Sequence, residues 1–225
     1  MNARNRHFRP AIAAGMAALL LSGCAITRST IDVTVAQAQT APTTAYASIT
    51  MVRDARRFEA SPRNPSAPSL QDPEEIKNPA ITSRAIARKR GGFGAALADI
   101  LLPEGRTVEQ VVREAATTAL RQKGYAVVDE RSPDRAKAVP VQLVIQQFWS
   151  WFSPGLVAVS VEFEGIVLMR SDVLVAPPQD TVRGYARIQG LAATDEEWSK
   201  AMHQGVNDLV EKMKAAIQSP GAARR

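Results

Sequence analysis

The sequence predicts an α+β domain: a two-layer sandwich in which a mixed, mostly antiparallel sheet carries two main amphipathic helices on one face. Three observations lead there. Apolar residues recur at helical spacing after Thr107 and again after Thr194; they alternate over 141–151 and 157–169; and Ser153-Pro154-Gly155 between those two alternating runs has the composition of a hairpin turn. An order of β, β, α, β, a meander and a final α buries its apolar faces most simply as helices on one sheet.

Each element has a local reason. The run YASITMV over 46–52 is β-rich and reads as the first core strand, ending in the charged stretch Arg53-Asp54-Ala55-Arg56-Arg57. Residues 60–80 carry Pro62, Pro65, Pro68, Pro73 and Pro79, which fix φ and remove donors, so a long surface loop is expected. A second strand is expected over 82–88, then a turn at Gly91-Gly92-Phe93-Gly94 and a short apolar turn stopped by Pro103. Thr107 with Gln110 forms a capping box. Val108, Val111, Val112, Ala115 and Ala119 mark the buried stripe of the helix it starts, and Gly124 suits the position just past its end. A short strand at 125–129 and a loop at 133–140 follow. Val141, Leu143, Ile145 and Trp149 are expected on one face of the next strand, and Val157, Val159, Val161, Phe163 and Val167 on one face of its partner. A strand over 183–191 completes the meander. Thr194 and Glu197 cap the last helix, striped by Trp198, Met202, Val206, Leu209, Met213 and Ile217.

The N-terminus carries a different signal. Arg4, Arg6 and Arg9 precede an apolar run over 11–21 with no acidic residue, the layout of an export signal. That run is shorter than the roughly 20 residues a membrane-spanning helix needs. It ends in Leu21-Ser22-Gly23-Cys24, which resembles the bacterial lipobox, and Cys24 is the only cysteine of the 225-residue chain. The expected organisation is a signal peptide at 1–23, a lipidated Cys24 with a tether through residue 44 holding at most one short strand, a single periplasmic domain over 45–219, and a flexible tail at 220–225. Ala25 after the cysteine favours the outer membrane by the enterobacterial sorting pattern. Cleavage removes three arginines and no acid, so the +6 of the whole chain falls to +3 over 202 residues, too little excess charge for a nucleic-acid role.

Several stretches together resemble the YajG family of uncharacterised bacterial lipoproteins: the lipobox LSGC, Ile31-Asp32-Val33, the strand running into Asp54-Ala55-Arg56, the helix closing in Arg121-Gln122-Lys123-Gly124-Tyr125, the strand from Val139 to Ile145, and the terminal helix. The resemblance spans nearly the whole mature chain. The insert at 60–80 and the basic GGFG region depart from it. It implies an envelope domain without established catalytic residues.

Candidate chemistry is sparse, and no enzyme is expected. His203 is the one histidine after the signal, there is no GxSxG, and a zinc site would need three or four His and Cys ligands. No metal and no cofactor are expected. Glu162 and Glu164 share a strand face, as paired carboxylates would, but so would the solvent face of an antiparallel sheet. Gly92-Phe93-Gly94 lacks the third glycine of a dinucleotide fingerprint. Two patches stand out as contacts for a partner or lipid: the basic cluster Arg84, Arg88, Lys89 and Arg90, and Trp149 with Trp151 in the run Phe148-Trp149-Ser150-Trp151-Phe152. Alternation lets one sheet face take only one aromatic pair, so either both faces are covered or one pair is exposed. The expected function is a non-enzymatic outer-membrane lipoprotein, attached to the membrane through Cys24. Its domain would bind or support an envelope protein through 148–156 and 84–94. The alternative is a lipid-handling or transport-accessory lipoprotein.

Overall fold

The computed structural model describes residues 28–39, 42–91, 95–155, 157–175 and 180–221. The signal segment, the lipobox with Cys24, Gly92 to Gly94 and the end of the tail lie outside them. The strands are β1 (Ser29–Thr30), β2 (Tyr46–Asp54), β3 (Ala85–Arg90), β4 (Ala96–Leu101), β5 (Ala126–Val127), β6 (Val139–Ser153), β7 (Val159–Arg170) and β8 (Thr181–Gly190). The helices are α1 (Pro79–Thr82), α2 (Val108–Gln122) and α3 (Asp195–Ala216), with 3₁₀ turns at Pro73–Lys77 and Pro133–Lys137. The fold is α+β, with one mixed eight-stranded sheet. No helix among the described residues is long and apolar enough to cross a membrane.

Strand β6 organises the sheet. One edge pairs with β7 throughout, and β7 with β8, as an antiparallel meander. The other edge is shared: β2 lies parallel along Val139 to Ile145, and β3 meets it in parallel further on, with Ala87 opposite Ser150. Beyond β2 comes β5; beyond β3 come β4 and β1. The sheet therefore forks where β2 ends. Arg56 sits in that fork, buried, with Nη1 donating to the carbonyls of Ala85 (2.6 Å) and Phe148 (3.1 Å), Nη2 to Thr82 O (2.7 Å), and a 2.7 Å ion pair to Asp54. Its guanidinium takes the place of ladder donors that neither strand can supply there.

The two long helices form as their periodicity predicts. Gln110 N donates to Thr107 Oγ1 (3.3 Å) and Thr107 N to Gln110 Oε1 (2.9 Å), closing the first box; Thr194 N donates to Glu197 Oε2 (3.1 Å) in the second. Gly124 adopts φ +94°, a left-handed conformation only glycine takes without penalty. Both apolar stripes join Val141, Leu143, Ile145, Phe148, Phe163 and Val167 in one core, where Phe148 and Phe163 meet edge to face at 4.9 Å.

Four expectations need correction. First, the alternation of β6 does not run through: a bulge between Ile145 and Gln147 shifts the parity, so Phe148 continues the core face and Trp149 turns to the opposite one. Second, the segment over 60–80 is not bare loop. Asp72 and Asn78 cap its 3₁₀ turn and α1, and Leu70, fully buried, anchors it beside Trp149, Ala85 and Leu101. Burial of one leucine contributes about 1.5–3 kcal/mol, enough to hold a proline-stiffened segment whose unfolded entropy is already small. Third, the strand expected at 82–88 starts at Ala85, and the apolar turn after the glycines is strand β4, which pairs antiparallel with β3. Fourth, the tether does not reach residue 44. Ile31, Val33 and Val35 are buried in the main core, and this stretch is tied down by Arg106 Nη2 to Val33 O (2.7 Å) and Thr118 Oγ1 to Ala36 O (3.0 Å).

Candidate functional site: a groove on the sheet face turned away from the core

Side chains of opposite parity on β2, β6 and β7 point away from the helices. The register places them in rows: Arg53, Val144 and Leu168 in one; Met51, Gln142 and Arg170 in the next; Gln147 and Ile166 in a third, continued by Arg183 on β8. Part of this face is covered. Phe58, Leu70, Ile76 and Ile81 pack over Trp149 and Trp151, and Phe58 meets Trp149 edge to face at 5.9 Å. The cover stops at Ser66 to Pro68, fixed by Gln147 Nε2 to Ser66 O (2.7 Å) and Glu59 N to Pro68 O (2.8 Å).

The uncovered half is a groove of about 800 Å³. Half-buried Met51, Val144, Ile166 and Leu168 form its floor, exposed Arg53, Arg57 and Arg170 stand around it, and Glu59, Glu164, Gln146 and Gln147 complete the polar lining. The lining places arginine forks, which can pair with anionic oxygens, around an apolar base, with Ser66 as its one hydroxyl.

Beside the groove runs a polar ladder on β7 and β8. Glu162 accepts from the Tyr185 hydroxyl (2.6 Å), Glu164 is ion-paired with Arg183, and Arg187 Nε donates to Ser160 Oγ (3.0 Å). The carboxylate pair thus faces away from the core as the strand parity requires, but each member is engaged by a neighbour on β8. Burial, and then the Glu162 carboxylate, push the Tyr185 phenol from 10.0 up to about 12. Because the folded value lies above the unfolded one, this contribution to stability is complete below pH 10 and is lost as pH rises toward about 12. Glu162→Gln is expected to bring the Tyr185 titration back toward 10.0, followed by phenolate absorbance. An unchanged midpoint would remove Glu162 as a cause.

The residues singled out from sequence are mostly structural. Trp149 is 1% exposed and Trp151 is half-buried beneath the 58–81 cover, so the aromatic run is not a presented patch. Arg88 is buried with Nη1 donating to Leu70 O (3.0 Å), Arg84 Nε donates to Leu102 O (3.0 Å), and Lys89 pairs with Asp195 at the start of α3 (2.7 Å). Arg84, Arg88 and Lys89 therefore stitch β3 and the residue before it to their surroundings, while Arg90 leaves Nη2 buried without a hydrogen-bond partner among the described residues. Burial pushes the Arg88 and Arg90 guanidinium groups down from their ordinary value. Asp99, opposite Arg88 on β4 and fully buried, accepts from Gln71 N (2.8 Å) and Arg28 (3.0 Å), while its burial pushes its carboxyl up from 3.8. His203 donates from Nδ1 to Ser199 O (2.8 Å), which leaves that nitrogen unable to act as base toward the Ser199 hydroxyl 3.3 Å away; Nε2 faces Thr34 N at 3.5 Å. Among the described residues no three His, Cys, Asp or Glu are grouped to hold a metal. Cys24 and most of the GGFG turn lie outside the described residues.

The groove escaped sequence reading, although a signal was present. The stretch Gly165-Ile166-Val167-Leu168-Met169 is apolar at both parities, so one face of β7 has apolar residues beyond those the core takes. Arg53 and Arg57 read only as the charged end of a strand.

Comparison with protein-family models found no match, and none was found among curated proteins. Among solved structures, one crystal structure of an uncharacterised protein aligns over 84% of this chain and 97% of its own, at 9% identity and a TM-score of 0.38, too low to carry an argument.

Proposed function

We propose that this protein is a non-enzymatic bacterial lipoprotein of the YajG type, lipidated at Cys24, held at the outer membrane with its domain in the periplasm, and built to bind an envelope component in the arginine-rimmed groove. The groove carries the reading. It is apolar surface left open on the sheet face opposite the core, between the 58–81 cover and the exposed polar ladder of β7 and β8, and open apolar surface framed by charge marks binding sites. The shared core of α2, α3 and the sheet supports a two-layer sandwich with both long helices on one side.

The contact surface so proposed differs from the aromatic hairpin and basic strand end that sequence alone favours, since Trp149 and Arg88 are buried. A second reading, lipid handling or transport accessory, is favoured by arginines standing beside apolar floor residues. The anchor rests on LSGC. In cells fed labelled palmitate, Cys24→Ala is expected to lose the label and to leave the outer-membrane fraction. A variant that stays labelled and sediments as before would sink the anchor.

A further inference from the structure

We infer that the groove takes one phospholipid molecule, its phosphate on Arg53, Arg57 and Arg170 and the first part of its acyl chains along Met51, Val144, Ile166 and Leu168. The inference deepens the binding role proposed above and rests on it. Charge complementarity identifies the occupant. The side chains of the three arginines make no ion pair or hydrogen bond among the described residues. Of the two groove carboxylates, Glu164 is neutralised by Arg183 and exposed Glu59 is not, so the groove keeps an excess of positive charge. Guanidinium forks match phosphate oxygens in pairs, and three around one groove favour a phosphate over a single carboxylate.

The floor argues for a lipid over a peptide. The floor strands β6 and β7 are paired on both edges. The outer edge of β2 beyond Ala47 carries no strand among the described residues but is engaged by α2, through Arg113 Nη1 to Ile49 O (2.9 Å) and Asp54 N to Glu109 Oε1 (2.8 Å). The edge of β8 is engaged by Tyr185 N to Asp208 (3.0 Å), so an extended peptide added to either edge would lie outside the floor. A ligand must be held by side chains alone. Strands stand about 4.8 Å apart and same-face residues about 7 Å apart, so the apolar floor measures about 10 by 7 Å. That accommodates a short length of acyl chain. A stable protein partner would need about 600–1,000 Å² of this surface.

The test places a photoreactive benzophenone side chain at position 168 of the full chain in growing cells, with the crosslinked protein weighed by mass spectrometry after irradiation. The expected result is an adduct heavier by one phospholipid. With Arg53→Glu, Arg57→Glu and Arg170→Glu combined, the adduct is expected to fall about tenfold; Arg131→Glu, outside the groove, leaves it unchanged. Arg170→Gln alone, at the exposed end of β7, is expected to lower it about threefold, which keeps the test independent of whether the triple variant folds. No added mass, as from reaction with the protein's own anchor, overturns the inference, as does a phospholipid adduct indifferent to the arginines. A protein adduct also overturns it while leaving the binding role standing. Loss of the Cys24 anchor is read separately by acylation and fractionation.

Discussion

Replacing Arg56 with alanine is expected to lower the free energy of unfolding by about 3–5 kcal/mol, the largest effect of any single substitution outside the hydrophobic core. One guanidinium serves both branches of the forked sheet. It neutralises Asp54 and fills the acceptor capacity of Thr82, Ala85 and Phe148, three carbonyls from three separate segments. Without it those carbonyls and the Asp54 carboxylate lose their partner in a site from which the side chain is fully shielded, and each orphaned group costs about 1–3 kcal/mol before relaxation. Against a total stability of about 5–15 kcal/mol, the variant would stand near the edge of folding. Lysine at this position keeps the charge but not the planar fork, so Arg56→Lys is expected to recover less than half of the loss. Urea unfolding followed by tryptophan fluorescence reads both; a loss under about 1 kcal/mol for Arg56→Ala would mean that the fork is not held by this side chain.

Gly184→Ala should give the second large effect, because at this position β8 meets the backbone of α3. A Cβ there would lie 2.5 Å from Leu209 Cβ, 2.6 Å from its N and 2.7 Å from its Cα. No rotamer change moves main-chain atoms, so the helix itself must retreat. That retreat would stretch the 3.0 Å bond from Tyr185 N to Asp208, which caps the open edge of β8. Overpacking of this kind costs about 1–3 kcal/mol, and more where a whole element has to shift. Gly165, opposite Gly184 on β7, supplies the comparison: its added Cβ would come within 3.2 Å of Leu209 Cδ2, the movable end of a side chain. Gly165→Ala is therefore expected to destabilise less than Gly184→Ala in the same urea titration. The reverse order would show that α3 is not fixed by its approach to β8.

Legibility from sequence followed the range of the interaction. Thr107 with Gln110 and Thr194 with Glu197 act within one helical turn, and the stripe from Trp198 to Ile217 repeats at a fixed local spacing, so both long helices could be read directly. The hairpin of β6 and β7 was readable for the same reason, at period two. Alternation failed where one residue was added: the bulge before Gln147 carries no marker in composition, yet it reverses the direction of every side chain after it, Trp149 included. Arg88 and Lys89 looked like a solvated basic run because their acceptors, Leu70 O and Asp195, are distant in sequence.

By itself the sequence determined the α+β class, the two capped helices and the antiparallel pair at the centre, because all of these rest on periodicity and capping among neighbours in the chain. Only the tertiary structure decided which surfaces remain open. Burial of Ile31, Val33 and Val35, the fork held by Arg56, the cover anchored by Leu70 and the groove between Arg53, Arg57 and Arg170 each depend on segments that meet only after folding. The physical reason is that hydrogen-bond satisfaction and apolar burial are settled by whichever group arrives in space, and periodicity along the chain carries no record of that arrival.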